Sequence, residues 1–185
     1  CIDLRSLNRV IWIDGHPCPR IDDLLSVLHG ATVFTKLDMR SAYHQVVLCK
    51  TSRHLTAFVT PDGVYQFCRM PFGLASAASV FQRVIEEVLR GLPGVSVYQD
   101  DVLVYGKDQV EHNVRLELVL TAMEDRGLRL RRAKSKFSLP EVEYLGHVIS
   151  RQGIAPRRGL LLAISGVCTP NDRDKLRSFM GMCEY

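Results

Sequence analysis

The sequence lacks the spacings that knit small folds around metals or disulfides. Its six cysteines, at positions 1, 18, 49, 68, 168 and 183, form no C-x-x-C pair, and its six histidines have no zinc-ligand spacing. That excludes a zinc-held fold and leaves reduced thiols, mostly packing residues, in an intracellular and cytoplasmic chain. No apolar run is long enough to span a bilayer, which excludes a helical membrane anchor within it. Internal repeats and low-complexity linkers are absent too. No initiator methionine or secretory leader precedes Cys1, so a segment cut from a longer polypeptide is expected. Net charge is small, at +4, which permits nucleic-acid binding without demanding it. What remains is a chain of 185 residues, 46% hydrophobic, able to bury the core of one or two domains.

The charge is unevenly placed. The run 126–136 carries Arg126, Arg129, Arg131, Arg132, Lys134 and Lys136 and no acid. It is either a solvated loop or a source of salt-sensitive phosphate contacts.

Two β-branched and aromatic runs, Val95–Tyr98 and Val102–Tyr105, flank Gln99, Asp100 and Asp101. Each run reads as a strand, and the residues between them fall where a tight hairpin turns. Asn-Gly or Asp-Gly would relax such a turn. Asp-Asp does not, and two carboxylates ~4 Å apart repel by about 4 kcal/mol at an effective dielectric of ~20. A rigid hairpin that holds such a pair implies a cation between them. A second pair, Asp22-Asp23, serves as a control. It falls in the first turn of a short helical pattern ending at Gly30, where acids complement the helix dipole, and it reads as structural.

A third acid completes the pattern. Val33–Asp38 reads as a short strand ending in a carboxylate. Three acids at the ends of neighbouring strands suit two hard divalent cations with oxygen ligands. Two such ions ~3.5–4 Å apart can activate an attacking oxygen, stabilise a leaving one and clamp a phosphate between them.

Other elements follow from pattern. His54–Thr60 and Val64–Cys68 read as strands joined by Pro61-Asp62-Gly63. Ser76–Leu89 reads as a helix with Val80, Phe81, Val84, Ile85, Val88 and Leu89 on one face. Asp108–Arg126 reads as a second helix stopped by Gly127, with Val110, Val114, Leu118 and Met123 among its core candidates. Tyr144–Ile149 reads as a strand or hairpin. Thr169 and Pro170 read as the N-cap and first residue of a last helix. The whole predicts an α+β fold, an antiparallel sheet with helices on one face.

Four ordered segments resemble the reverse transcriptases of retroelements, with wording most similar to the Ty3/Gypsy class of LTR retrotransposons. Phe34–Gln45 resembles their first catalytic motif, and Arg69–Leu74 leading to Phe81-Gln82 the second. Tyr98-Gln99-Asp100-Asp101 resembles the Tyr-x-Asp-Asp box, and Glu143–Ser150 the primer grip. The resemblance runs from Ile2 to Cys183. It implies a right-hand polymerase: residues 1–13 a remnant of the fingers, 14–45 the first part of the palm, and 46–75 a fingers hairpin. Residues 76–153 would be palm with catalytic hairpin and primer grip, and 154–185 the truncated start of the thumb.

The resemblance also implies roles. Asp38, Asp100 and Asp101 would hold two Mg2+ ions, with Mn2+ as a substitute, and the Met39 carbonyl would complete one shell. Arg40, Ser41, Ala42, Phe72, Gly73 and Lys134 would meet the dNTP, Lys134 as proton donor to pyrophosphate. Tyr43 would exclude a ribose 2′-hydroxyl, which argues against an RNA-dependent RNA polymerase. Arg5, Gln82, Tyr98, Gln99, Leu145, Gly146 and His147 would contact the template, primer or paired base. The implied partners are an RNA or DNA template with primer, dNTPs, and the RNase H, integrase and protease domains of a polyprotein. A virus-like particle is the implied setting of the parent element, and no membrane is. Gln99 departs from the usual aliphatic residue or methionine, and Ala77-Ala78 from the usual Ala-Pro. A decayed or host-retained copy that binds nucleic acid without polymerising is the alternative.

Overall fold

A computed structural model describes residues 2–157, 159, 166–167 and 169–183, the side chains of 182 and 183 excepted. At its centre lies a four-stranded antiparallel sheet in the order β4-β5-β1-β6. The strands are β1 (Val33–Asp38), β4 (Val95–Tyr98), β5 (Asp101–Gly106) and β6 (Lys136–Leu139). β1 and β5 are rich in β-branched and large apolar residues and are buried on both faces, as central strands require.

Alternation along these strands sends successive side chains to opposite faces. On one face Leu37, Val97, Val102 and Val104 pack with Phe81, Ile85 and Leu89 from α3 (Ala77–Val88) and its C-terminal cap, and with Val119 and Met123 of α4 (Gln109–Asp125). On the other, Phe34 and Leu103 pack with Leu25 of α2 (Ile21–Ser26), Leu28, and Val142, Tyr144 and Ile149. The last three belong to a second sheet, β7 (Glu141–Tyr144), β8 (His147–Ser150) and β9 (Gly153–Pro156). The long helices α3 and α4 thus share one face, and the small sheet with the short α2 covers the other. Buried polar groups link the layers: His112 Nε2 lies 2.9 Å from Thr35 Oγ1, and the Tyr144 hydroxyl 3.2 Å from Ser96 Oγ.

Several expectations need correction. In α4, Met123 is buried as expected, but Val110, Val114 and Leu118 are exposed, and His112 and Val119 take the remaining buried positions. Residues 50–56 form 3-10 turns, so the paired strands shorten to β2 (Phe58–Thr60) and β3 (Gly63–Tyr65). The last helix starts at Arg173 rather than Pro170, and Asp172 caps it, Oδ1 accepting from the Lys175 N–H at 2.7 Å. Cys18, Cys49 and Cys68 are free and exposed rather than packing residues, while Cys1 and Cys168 lie outside the described residues. Among the described residues no helix is long and apolar enough to cross a membrane.

Candidate active site

The three acids meet at one end of the central sheet. Asp38 and Asp101 are register partners across β1 and β5, and Tyr98 faces Asp101 across β4 and β5. Gln99 and Asp100 form the two-residue turn between those strands, with Gln99 at φ 53 and Asp100 exposed. Alternation puts Lys36, Asp38, Tyr98 and Asp101 on the face that the small sheet covers.

Charge distribution around the acids is uneven. Lys36 Nζ lies 2.9 Å from Asp101 Oδ1, and Arg131 Nε lies 3.8 Å from Asp38 Oδ1. That distance is too long for a hydrogen bond. Asp38 Oδ1 is accordingly buried with no hydrogen-bond partner, an arrangement that costs free energy unless a cation meets it. An all-oxygen donor set with one orphaned buried oxygen fits a hard divalent ion. Among the described residues no group of three such acids or other ligand side chains stands close enough, as placed, to hold one ion. Asp101 is turned to Lys36.

Two clefts border the Lys36–Asp101 pair. One, of about 640 Å³, is lined by Asp38, Lys134, Lys136, Glu141 and Glu143 among others. The second, of about 410 Å³, is lined by Tyr98, Gln99, Asp100, Leu145, Gly146 and Arg157 among others. Leu145 and Gly146 turn β7 into β8, both at positive φ, and Tyr144 pairs with His147. His147 Nδ1 sits 2.9 Å from the Leu145 carbonyl. Leu145 and Gly146 of the predicted primer grip therefore share one cleft with the Tyr98–Asp101 hairpin, and His147 follows them outside its lining.

The chain beyond Asp38 is fastened on its far side. The Arg131 N–H donates to the Asp38 carbonyl and the Arg40 N–H to the Arg129 carbonyl, so Met39 is bridged to Leu130. Ser41 then takes φ 55 and leads into a 3-10 turn, Ala42–Gln45. The Gln45 amide locks this corner. Its Nε2 donates to the carbonyls of Arg40 (2.7 Å) and Arg129 (2.9 Å), and its Oε1 accepts from the Arg129 N–H (2.6 Å). Tyr43 packs against Phe72 and Phe81, with ring centroids 5.1 and 5.7 Å away. Burial and then the nearby Asp100 charge push its phenol above the usual value.

Gln82 requires a correction. Instead of facing a template base it is fully buried. Its Nε2 donates to Glu86 Oε1 and the Val97 carbonyl, and its Oε1 accepts from the Gln99 N–H at 2.6 Å. It reaches the site only through the turn it holds. Gly73, at φ 91, leads into a loop gripped by Asn8, whose side chain donates to the Gly73 carbonyl and accepts from the Ala75 N–H. Arg5 is exposed and ion-paired to Asp3 at 2.7 Å. Sequence reasoning gave no role to Gln45, Asn8 or Lys36. Gln45 and Asn8 bond only to backbone, which leaves no period or spacing to find, and Lys36 meets Asp101 only through the β1–β5 register.

The family model described as reverse transcriptase (RNA-dependent DNA polymerase) matches residues 1–149. The retrovirus-related Pol polyprotein from transposon gypsy of Drosophila melanogaster is 38% identical over the whole chain, which spans 18% of that polyprotein. The transposon Tf2-3 polyprotein of Schizosaccharomyces pombe is 33% identical, with the chain spanning 14% of it. Among solved structures, the foamy viral protease-reverse transcriptase dRH in complex with ds DNA superposes at a TM-score of 0.89. It is 24% identical, over 98% of this chain and 32% of that one. The foamy viral enzyme in complex with RNA/DNA hybrid gives 0.82. These superpositions show the α+β polymerase palm as the fold.

Proposed function

The chain belongs to the reverse transcriptase family, and from that premise we propose that it carries the palm of an RNA- and DNA-directed DNA polymerase. It would transfer a dNMP unit from a dNTP to a primer 3′-hydroxyl, with pyrophosphate as the leaving group. The observation that carries this reading is the meeting of Asp38, Asp100 and Asp101 at one sheet end, with Asp38 Oδ1 buried and without a hydrogen-bond partner.

Asp38, Asp100, Asp101 and the Met39 carbonyl would hold two Mg2+ ions, or Mn2+ in their place. When bound, the ions would lower the cost of ionising the 3′-hydroxyl and neutralise the phosphate charge. The chain's own part is positioning. Tyr43, braced by Phe72 and Phe81, presents its ring where a 2′-hydroxyl would clash. Arg40, Ser41, Ala42, Phe72 and Gly73 shape the dNTP subsite, and Lys134 would give a proton to departing pyrophosphate. Tyr98, Gln99, Leu145 and Gly146 line the cleft that suits a primer end, His147 at the start of β8 would also contact the primer, and Arg5 would meet template. Gln82 serves this site by holding Gln99.

In domain terms, 1–13 and 46–75 would be fingers, 14–45 and 76–153 palm, and 154–185 the start of a thumb. The parent polyprotein, with RNase H, integrase and protease, would act in the cytoplasm inside a virus-like particle. A binding-only reading draws on the Lys36–Asp101 ion pair, which occupies one of the acids.

Single-nucleotide primer extension on an RNA template separates the two readings. It would use the chain within the longer polypeptide that its relatives have, with magnesium present. Extension with dNTP but not rNTP, abolished by Asp100→Asn, is the expected result. Template-primer binding without any extension would overturn the polymerase reading in favour of binding alone.

A further inference from the structure

Residues 12–20 form neither helix nor strand and contribute nothing to either apolar cluster of the core. Trp12 and Ile13 are exposed. This strap is nevertheless fastened to α3 by two polar contacts. Arg83 Nε donates to Asp14 Oδ2 at 3.0 Å, and His16 Nε2 lies 2.7 Å from Glu86 Oε2. Asp14 Oδ1 also accepts from the His16 N–H at 3.1 Å, so the two contacts brace each other. Arg83 and Glu86 are three positions apart and share one face of the helix.

The second contact does not stop at the surface. Glu86 Oε1 accepts from Gln82 Nε2 at 2.6 Å, and Gln82 is fully buried beneath the turn that carries Asp100. A carboxylate only accepts, and so does the Val97 carbonyl on Gln82 Nε2. Together they leave the Gln82 oxygen one direction, toward the Gln99 N–H at 2.6 Å. A continuous chain of hydrogen bonds thus runs from His16 through Glu86 and Gln82 to Gln99, the residue before Asp100. Hydrogen bonds to a carboxylate are the stronger kind, and linked ones reinforce each other. Without Glu86 a buried N–H of Gln82 loses its partner, and Val97 alone orients the amide.

We propose that Glu86, held by His16, is a positioning residue for the catalytic turn. It acts through Gln82 to fix Gln99, and with Gln99 the Asp100 carboxylate at the end of the sheet. Neither His16 nor Glu86 touches the reacting atoms. Seating of the strap on α3 and the geometry of the turn are therefore one coupled state. The effect on turnover rests on the polymerase reading, whereas the hold on the Gln99 N–H does not.

Amide hydrogen exchange at Gln99, followed by NMR on the whole chain, reads the hold without any activity. Glu86→Leu is expected to speed that exchange about tenfold, with the amides of the β1–β5 ladder unchanged. Glu86→Gln, whose amide oxygen still accepts from Gln82, should restore protection. Glu87→Leu, at the exposed neighbouring position of α3, should leave it as it was. His16→Ala keeps the partner of Gln82 and should give a smaller rise, about two- to fivefold; it stands in if Glu86→Leu does not fold. Unchanged exchange at Gln99 in the folded variants, or an equal rise throughout the ladder, would overturn the proposal. Primer extension by the longer polypeptide then reads the consequence. Glu86→Leu should lower kcat about tenfold at nearly unchanged dNTP KM, and Glu86→Gln should recover most of it. An unchanged kcat with Gln99 released would overturn the positioning role. The expected exchange pattern with no extension by the parent polypeptide would sink the polymerase reading and leave the clasp standing. Extension by the parent, with Gln99 indifferent to both positions, would do the reverse.

Discussion

Gln45 and Gln82 each hold a corner of the site with a single amide. Gln82 sits under Gln99, whose left-handed φ of 53 is unfavourable for a side-chain-bearing residue by about 1–2 kcal/mol. Its Oε1 bond to the Gln99 N–H offsets that strain. Gln82→Leu leaves the Gln99 N–H and the Val97 carbonyl each short of a partner, and is expected to lower stability by about 1–3 kcal/mol, read by urea unfolding. Gln45→Leu should cost a similar amount. It should also lower kcat more than it raises dNTP KM, since the corner it releases adjoins Asp38. Equal kcat in the variant would show that the corner holds without it. Neither amide was legible as a clasp in the sequence. Gln82 carries a motif position whose resemblance suggested a base contact, and only its burial redirects it toward the hairpin.

Among the elements, strands β1 and β5 were legible, because β-branched runs and a terminal acid mark each, but Asp101, read as a turn residue, is the first residue of β5 and pairs with Asp38. α3 was legible too, since its apolar residues fall on one face. α4 shows where periodicity misleads. Val110, Val114 and Leu118 keep perfect i, i+4 spacing and lie outside, while the inward stripe includes a histidine, His112, matched to Thr35. A hydrophobicity pattern cannot find a buried polar pair. The same helix rests on Asp108, whose Oδ1 accepts from the Glu111 N–H at 2.8 Å. Asp108→Ala should cost about 1 kcal/mol, measured as a lower melting temperature. The strand-to-helix junction before it is tighter still: a Cβ on Gly106 would meet backbone atoms of His112 at 2.7–2.8 Å. Gly106→Ala should therefore destabilise more than the loss of the cap. A smaller effect would mean that the junction yields. β6 escaped the sequence altogether because its residues alternate poorly and one basic run obscures its start.

For the whole molecule, burial of tyrosines sets the alkaline limit. Burial pushes the Tyr144 phenol well above its ordinary value near 10.0, with the Ser96 hydrogen bond working weakly against it; Tyr105 and Tyr43 shift the same way, also through burial first. The unfolded chain then ionises these groups before the folded one does. Their contribution to stability is complete below about pH 10 and is lost as pH rises from there toward the folded values. Melting temperature should fall steadily above about pH 10. Tyr144→Phe should flatten that fall at some cost in stability at neutral pH, because Ser96 Oγ loses its partner. An unchanged slope in the variant would place the alkaline sensitivity elsewhere.

Strand β1 lies between β5 and β6, and the Ser138 N–H donates to Thr35 Oγ1 across 103 residues of chain. During synthesis Asp38 therefore leaves the ribosome long before its strand can be enclosed. Its neighbours in the sheet are made only when most of the palm has been translated. Contacts this distant in sequence slow the search for the native state. The unfinished sheet exposes two open edges of β1 while it waits, so the interval before Leu139 emerges is when this chain is most prone to pair with another copy of itself.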